Sequence, residues 1–147
     1  MAQSPDKLLS NLKVLLFDFD PDSADAVDIS WQDFRDFERI VIFFFRTVGT
    51  GALDTFRLLA NTGSTGGGTD VVVASHAVAT EPNLLGDYIF LEANASMIAQ
   101  EAADAGIANV RYVSANVEFA TSTDEGVIGY IMEPRRAYDG LSADTIA

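Results

Sequence analysis

Two aspartates separated by one residue follow an apolar stretch near the start of the chain. Val14, Leu15, Leu16 and Phe17 lead directly into Asp18-Phe19-Asp20. In covalent phosphoryl chemistry, one carboxylate attacks phosphorus while a second acts as acid and base. The spacing therefore raises the hypothesis of a phosphohydrolase that uses Asp18 and Asp20.

The motif resembles the nucleophile motif of haloacid-dehalogenase-type phosphatases, and Ser75, which follows the apolar run 71–74, resembles a second element of that family. The family also requires a downstream lysine, yet no lysine follows Lys13. Pro21 and Asp22 stand where Gly-Thr usually follows the second aspartate, and the chain does not predict the alternating helix–strand scaffold. A short motif without its scaffold usually arises by chance, so phosphohydrolase activity is a remote alternative.

Other candidate sites also lack essential parts. The acidic stretch 18–22 has Ser23 and Ile29 where a helix–loop–helix calcium site needs Gly and Glu. A solvated acidic turn is the favoured interpretation, and binding of a cation there stays open. His76 is the only histidine and there is no cysteine, so we expect a structural histidine and no zinc site. The glycines of 63–68 lack the Lys-Ser/Thr of a phosphate loop, and no cofactor is predicted.

Composition indicates one folded domain that binds neither nucleic acid nor membranes. The chain has 147 residues, 48% of them hydrophobic, which is too many for a disordered protein. Its 22 acidic and 9 basic residues give a net charge of -13, which repels phosphate backbones and anionic lipid surfaces. The polar N-terminus and the short apolar run 40–45 predict neither a secretion signal nor a membrane span. The absence of cysteine suits synthesis in a reducing cytoplasm.

Segment 38–47 gives the strongest strand signal. Its residues 40–45 are all apolar, so both faces of the strand are apolar: Ile40, Ile42 and Phe44 on one side, Val41, Phe43 and Phe45 on the other. A two-layer sandwich buries only one face of each sheet. The second face therefore needs a cover, either from an aromatic turn of the same chain or from a neighbouring subunit.

Trp31, Phe34 and Phe37 recur at a spacing of three, which predicts a short helical turn with one aromatic face. Large aromatic residues usually pack into a core, so we favour a role as the cover of the central strand. The alternative is that these three residues form a surface for a partner protein.

The remaining pattern predicts a mostly β protein, an antiparallel β-sandwich or jelly-roll with one short helix. Turn signals at 48–52 and 121–125 predict two hairpins, and Asn94 and Gly106 bracket a helix with a cap and a stop. We divide the chain into an N-terminal arm (1–11), a β-sandwich domain (12–133) and a C-terminal arm (134–147).

The C-terminal arm begins with a cationic and aromatic group. Arg135, Arg136 and Tyr138 lie within four residues of one another. Two interpretations stay open for them: pairing with carboxylates of a partner chain, or a solvated tail.

A diffuse set of segments resembles small β-sandwich virion proteins of tailed bacteriophages. The segments are 23–31 and the apolar strand that follows this segment, together with 87–93, 110–113 and 134–141. The resemblance implies a non-catalytic protein that decorates and cements the capsid exterior by binding the major capsid protein; a neck or tail component is the alternative. It also implies homo-oligomers, and a trimer would suit the local threefold positions of a capsid lattice. The acidic charge is better suited to the outside of a capsid than to its DNA-facing surface.

Overall fold

The computed structural model describes residues 12–20, 25–76 and 84–135, and these ranges contain nine strands and one helix. The predicted N-terminal arm lies outside them, and so does the C-terminal arm apart from Pro134 and Arg135. The elements are β1 (Lys13–Phe19), β2 (Val27–Asp28), β3 (Gln32–Asp33), β4 (Phe37–Val48), β5 (Leu53–Asn61), β6 (Val71–Ser75), β7 (Tyr88–Asn94), α1 (Ala95–Asp104), β8 (Tyr112–Phe119) and β9 (Glu125–Pro134).

The described strands form two antiparallel sheets packed face to face. The first sheet has the order β1-β9-β4-β7. The second has the order β2-β8-β5-β6, with β3 also pairing with β8. The chain passes back and forth between the sheets, and this strand order is that of a jelly-roll. The predicted mostly β sandwich with one short helix is therefore confirmed.

The core lies between the inner faces of the sheets. In β4, Ile40, Ile42 and Phe44 are fully buried, as the alternation of this strand predicts. Phe44 packs against Phe56 of β5 and Phe119 of β8, with ring centroids 6.3 and 5.5 Å apart. Burial of several aromatic rings from both sheets supplies much of the apolar area that stabilises such a domain.

Tyr130 links the two sheets through a hydrogen bond. Its side chain extends from β9 across the sandwich, and its hydroxyl accepts hydrogen bonds from the backbone N–H groups of Ala115 (2.8 Å) and Ser30 (3.3 Å). Ser30 lies between β2 and β3, and Ala115 is the β8 residue at the place where pairing with these two strands is interrupted. Tyr130 thus satisfies donors that the interrupted pairing would leave buried without a partner.

Both predicted hairpins are wrong, because each turn joins strands of different sheets. The turn after β4 leads into β5 of the second sheet, and the turn after β8 leads into β9 of the first. Arg46 and Asp124 connect these two turns through an ion pair of 3.2 Å, in which both side chains are buried. A short turn is compatible with either connection, so long-range packing of the strands decides between them.

The predicted helical turn at Trp31, Phe34 and Phe37 is also wrong. Gln32 and Asp33 pair with β8 as the short strand β3, because backbone pairing outweighs a three-residue spacing of aromatics. Phe34 is buried in the core and stacks on Phe37, with ring centroids 6.2 Å apart. Trp31 lies against Gly66 of the loop between β5 and β6. The outer side of β4 remains exposed at Phe45.

The predicted helix is confirmed as α1. The Asn94 side chain accepts a hydrogen bond from the N–H of Met97 at 2.8 Å, and Gly106 has a φ of +71° just after the C-cap. Ile98 and Ala102 are the buried residues of its apolar side. Within the described ranges, no helix combines the length and apolar character needed to cross a bilayer.

Candidate protein-binding surface

The side of the first sheet that faces away from the core carries a continuous set of apolar residues, which we call the outer face. The strand register places them in three parallel rows across β1, β9, β4 and β7. The rows end at Asp18 on one edge of the sheet and at Glu92 on the other. The outer face consists of Val14, Leu16, Val41, Phe43, Phe45, Tyr88, Phe90, Val127, Gly129 and Ile131.

Several of these side chains are largely exposed. The exposed fractions are 54% for Val14, 64% for Leu16, 69% for Tyr88 and 58% for Phe90. From the normal spacing of strands and residues, the rows span about 14 Å in each direction. The resulting area of about 200 Å² is about a quarter of the roughly 800 Å² that each partner buries in a standard protein–protein interface, which also needs a polar rim. A contiguous apolar set bordered by charged residues makes this side of the sheet the candidate binding surface.

The middle of the outer face is flat and aromatic. Phe43 and Phe90 are directly opposite one another on β4 and β7. On the other side of β4, the Phe43 ring lies over Gly129 of β9, in the space that a side chain at this position would occupy. The missing side chain lets the ring lie close to the sheet. The row Leu16, Gly129, Phe43 and Phe90 therefore offers a broad surface for aliphatic or aromatic groups of a partner.

Charged groups form a rim at one end of the outer face. Arg39 of β4 lies between two carboxylates, with ion pairs of 3.2 Å to Glu92 and 3.1 Å to Glu133. All three side chains remain partly exposed to solvent, so these pairs contribute little to stability. They provide a polar border of the kind that fixes the orientation of a bound partner.

The corresponding face of the second sheet is mostly polar, although Val72 is exposed there. There Thr55 donates a hydrogen bond to Glu118 at 3.0 Å, and Asn116 donates one to Asp28 at 2.8 Å. Arg57 donates to the Thr55 hydroxyl at 3.3 Å. The two outer faces therefore differ in chemistry, although each is the solvent side of an antiparallel sheet. This contrast makes the outer face of the first sheet the candidate binding surface.

The structure separates the groups of the hypothetical phosphohydrolase. Asp18 lies on the outer side of β1, an edge strand of the first sheet, and Asp20 follows the end of this strand. Ser75 is the last residue of β6, an edge strand of the second sheet. The antiparallel sandwich is not the parallel, helix-flanked sheet of haloacid-dehalogenase-type enzymes. Asp22 lies outside the described residues, and among those described no three acidic or histidine side chains form a cluster able to hold a metal ion.

The predicted interface residues that the structure describes do not belong to the outer face: Trp31, Phe34, Phe37 and Arg135. Phe34 and Arg135 line a cavity on another side of the sandwich, and the Arg135 Nε donates a hydrogen bond to the Phe37 carbonyl at 3.2 Å. Arg136 and Tyr138 lie outside the described residues. The contributions of β1 and β7 to the outer face were not predicted from the sequence. The signal was present, because both strands carry apolar residues at successive positions, as β4 does.

Comparisons with known proteins find structural likenesses only. No protein-family model and no curated protein matches the chain. The chain is similar to the SPBc2 prophage-derived protein YomS, with a TM-score of 0.40 and 11% identity, over 82% of this chain and 94% of that one. It is also similar to a chain of infectious bursal disease virus, Gx strain, with a TM-score of 0.41 and 10% identity, over 83% of this chain but only 32% of that one. TM-scores at this level carry no inference about function.

Proposed function

We propose that this protein is a non-catalytic structural protein of a tailed-bacteriophage virion, which decorates the capsid exterior by binding the major capsid protein through the outer face. The observation that carries the binding role is the contrast between the apolar outer face of the first sheet and the polar one of the second. The virion assignment rests on the resemblance of its sequence segments to small phage virion proteins.

The geometry supports docking better than it supports bond-making chemistry. The outer face offers apolar area and a charged rim, which are the parts of a protein–protein interface. Its rows contain one acidic residue at each edge of the sheet, Asp18 on β1 and Glu92 on β7, with the apolar rows between them. A surface of this kind can exclude water from a partner and fix its position.

The net charge of -13 favours a position on the outside of the capsid, where it keeps particles apart and does not face packaged DNA. A neck or tail position is the alternative within the same class. Mass spectrometry of purified particles distinguishes the two through the copy number per capsid. Decoration predicts a high copy number, with copies spread over the capsid lattice. A low copy number, equal to that of one ring of subunits, would assign the protein to the neck or tail.

The binding role is tested by matched substitutions on the two outer faces. Val14 and Val72 are partly exposed valines on edge strands, β1 of the first sheet and β6 of the second. A Val14→Glu change places a charge inside the proposed interface, and we expect at least about tenfold weaker binding to particles. A Val72→Glu change places the same charge on the other sheet and should leave binding unchanged.

Unfolding midpoints in urea show whether both variants fold. Equal binding of both folded variants would contradict a docking role for the outer face.

Asp18→Asn with Asp20→Asn tests the enzymatic alternative, since these substitutions abolish turnover in a phosphohydrolase of that type. In a structural protein, they leave particle binding within about twofold of the wild type, because both residues lie at or beyond the border of the apolar rows.

A further inference from the structure

A cavity of about 320 Å³ lies between α1, β8 and the residues that follow β3, and no residue of the outer face lines it. Its walls are apolar: Phe34 and Val113 come from the core, and Ala95, Ile98 and Ala99 come from the helix. This volume lies at the lower end of the range found for binding pockets. It can hold one aliphatic or aromatic side chain.

Three of the nine basic residues of the chain line this cavity: Arg35, Arg111 and Arg135. Such a concentration is unusual in a protein with a net charge of -13. Arg35 is more than half exposed, and Arg111 is exposed by about a third. Both guanidinium groups can therefore reach a ligand from the solvent side.

Asp33 holds two of these arginines in place. Its carboxylate accepts hydrogen bonds from Nη2 of Arg111 at 2.7 Å and from Nη2 of Arg35 at 2.9 Å. These hydrogen bonds keep the pKa of Asp33 well below its usual range and raise that of Arg111. Asp36 is a second carboxylate whose charge acts on Arg111, so two carboxylates face three guanidinium groups and the rim retains a positive charge. The Asp33 carboxylate also fixes the orientation of donors that are left over for a ligand.

We propose that this cavity is a second docking site, which binds an acidic peptide segment of another protein, with an apolar side chain inserted and flanking carboxylates paired to Arg35 and Arg135. The apolar walls fit the side chain, and the arginines of the rim fit the carboxylates. Charge complementarity selects an acidic partner, since an acidic protein repels other acidic surfaces everywhere except at a local basic site. This inference does not depend on the proposed function of the outer face.

The test uses two synthetic tripeptides, both acetylated and amidated: Asp-Leu-Asp and its neutral counterpart Asn-Leu-Asn. Backbone amide shifts in NMR spectra of the full chain report binding at Ala95, Ala99 and Val110, which line the cavity. At about 50 mM salt, where screening is weak, the acidic peptide should give saturable shifts at these amides. The neutral peptide should bind at least about tenfold more weakly, because it lacks the charge-assisted hydrogen bonds.

Arg35→Gln and Arg135→Gln should each raise the Kd of the acidic peptide about tenfold, since each removes one charged donor. Arg57→Gln, on the outer side of the second sheet, is the matched control and should leave this Kd unchanged. An unchanged spectrum of core amides shows that the variants fold. Equal affinity for both peptides, unchanged affinity in both cavity variants, or no saturable shift at the lining amides would overturn the proposal. None of these results bears on particle binding by the outer face.

Discussion

The ring of Phe43 covers Gly129 on the outer face, so a side chain at position 129 and the flat position of this ring exclude one another. A second glycine of β9 has the same relationship with a phenylalanine ring on the opposite side of the sheet. Gly126 faces the core, where the ring of Phe44 occupies the corresponding space. A matched pair of substitutions on one strand can therefore separate the solvent side of the sheet from its buried side.

Gly126→Ala should destabilise the protein by about 1–3 kcal/mol, because the added methyl group overpacks the core against Phe44 and the Phe45 carbonyl. Gly129→Ala should change stability by less than about 1 kcal/mol, since the half-buried ring of Phe43 lies on the solvent side of the sheet and can move away, and alanine suits a strand better than glycine. Urea unfolding measures both. Equal losses in the two variants would show that the outer side of the sheet is as tightly packed as the core.

Much of this fold follows from local patterns. The alternation in 40–45 predicted a central strand with two apolar faces, and Asn94 and Gly106 predicted the helix. Local patterns do not predict the sheet to which each turn leads. Residues near 49 and 121 have good turn composition, but the buried Arg46–Asp124 pair that connects the two turns joins residues 78 positions apart, which no local pattern reveals.

The candidate site was only partly predictable. The sequence predicted that the second apolar side of β4 needs a cover, whereas the extent of the outer face depends on strand order, which places β1 and β7 beside the central pair. The cavity depends in the same way on contact between Arg111 and Asp33, which are far apart in sequence.

The buried pair of Arg46 and Asp124 predicts a large effect of charge removal. The Arg46 Nη2 donates a hydrogen bond to the Gly51 carbonyl at 2.6 Å, and its guanidinium lies 5.3 Å from the centre of the Phe119 ring. Asp124→Asn leaves this cation buried without its counter-charge and should cost about 3–5 kcal/mol of unfolding free energy.

Glu133→Gln is the control for that experiment, because it removes a partly exposed pair with Arg39 and should change stability by less than about 1 kcal/mol. Urea unfolding of both variants provides the comparison. A midpoint for Asp124→Asn equal to that of the wild type would show that the buried ion pair does not hold the two turns together.

Tyr130 predicts a loss of stability at alkaline pH. Burial raises the pKa of this hydroxyl above its ordinary value of 10.0. Above about pH 10, the tyrosine of the unfolded chain ionises while that of the folded chain stays protonated. Its contribution to stability is therefore complete below that pH and is lost as the pH rises towards the folded-state pKa.

Tyr130→Phe should remove this alkaline dependence, and at neutral pH it should cost about 1–3 kcal/mol because the Ala115 N–H loses its acceptor. Unfolding free energies measured from neutral to alkaline pH give both quantities. Tyr88→Phe, at an exposed position, is the control and should follow the wild type. A wild-type slope in Tyr130→Phe would assign the alkaline loss to other groups.

Hydroxyl-radical footprinting of the protein, free and bound to purified particles, tests the docking role of the outer face most directly. Leu16, Tyr88 and Phe90 are exposed in the free protein, and docking through the outer face predicts that their modification falls severalfold on the particle while Val72 of the second sheet reacts as before. Unchanged modification of these three residues on the particle, or protection of Val72 in their place, would contradict it.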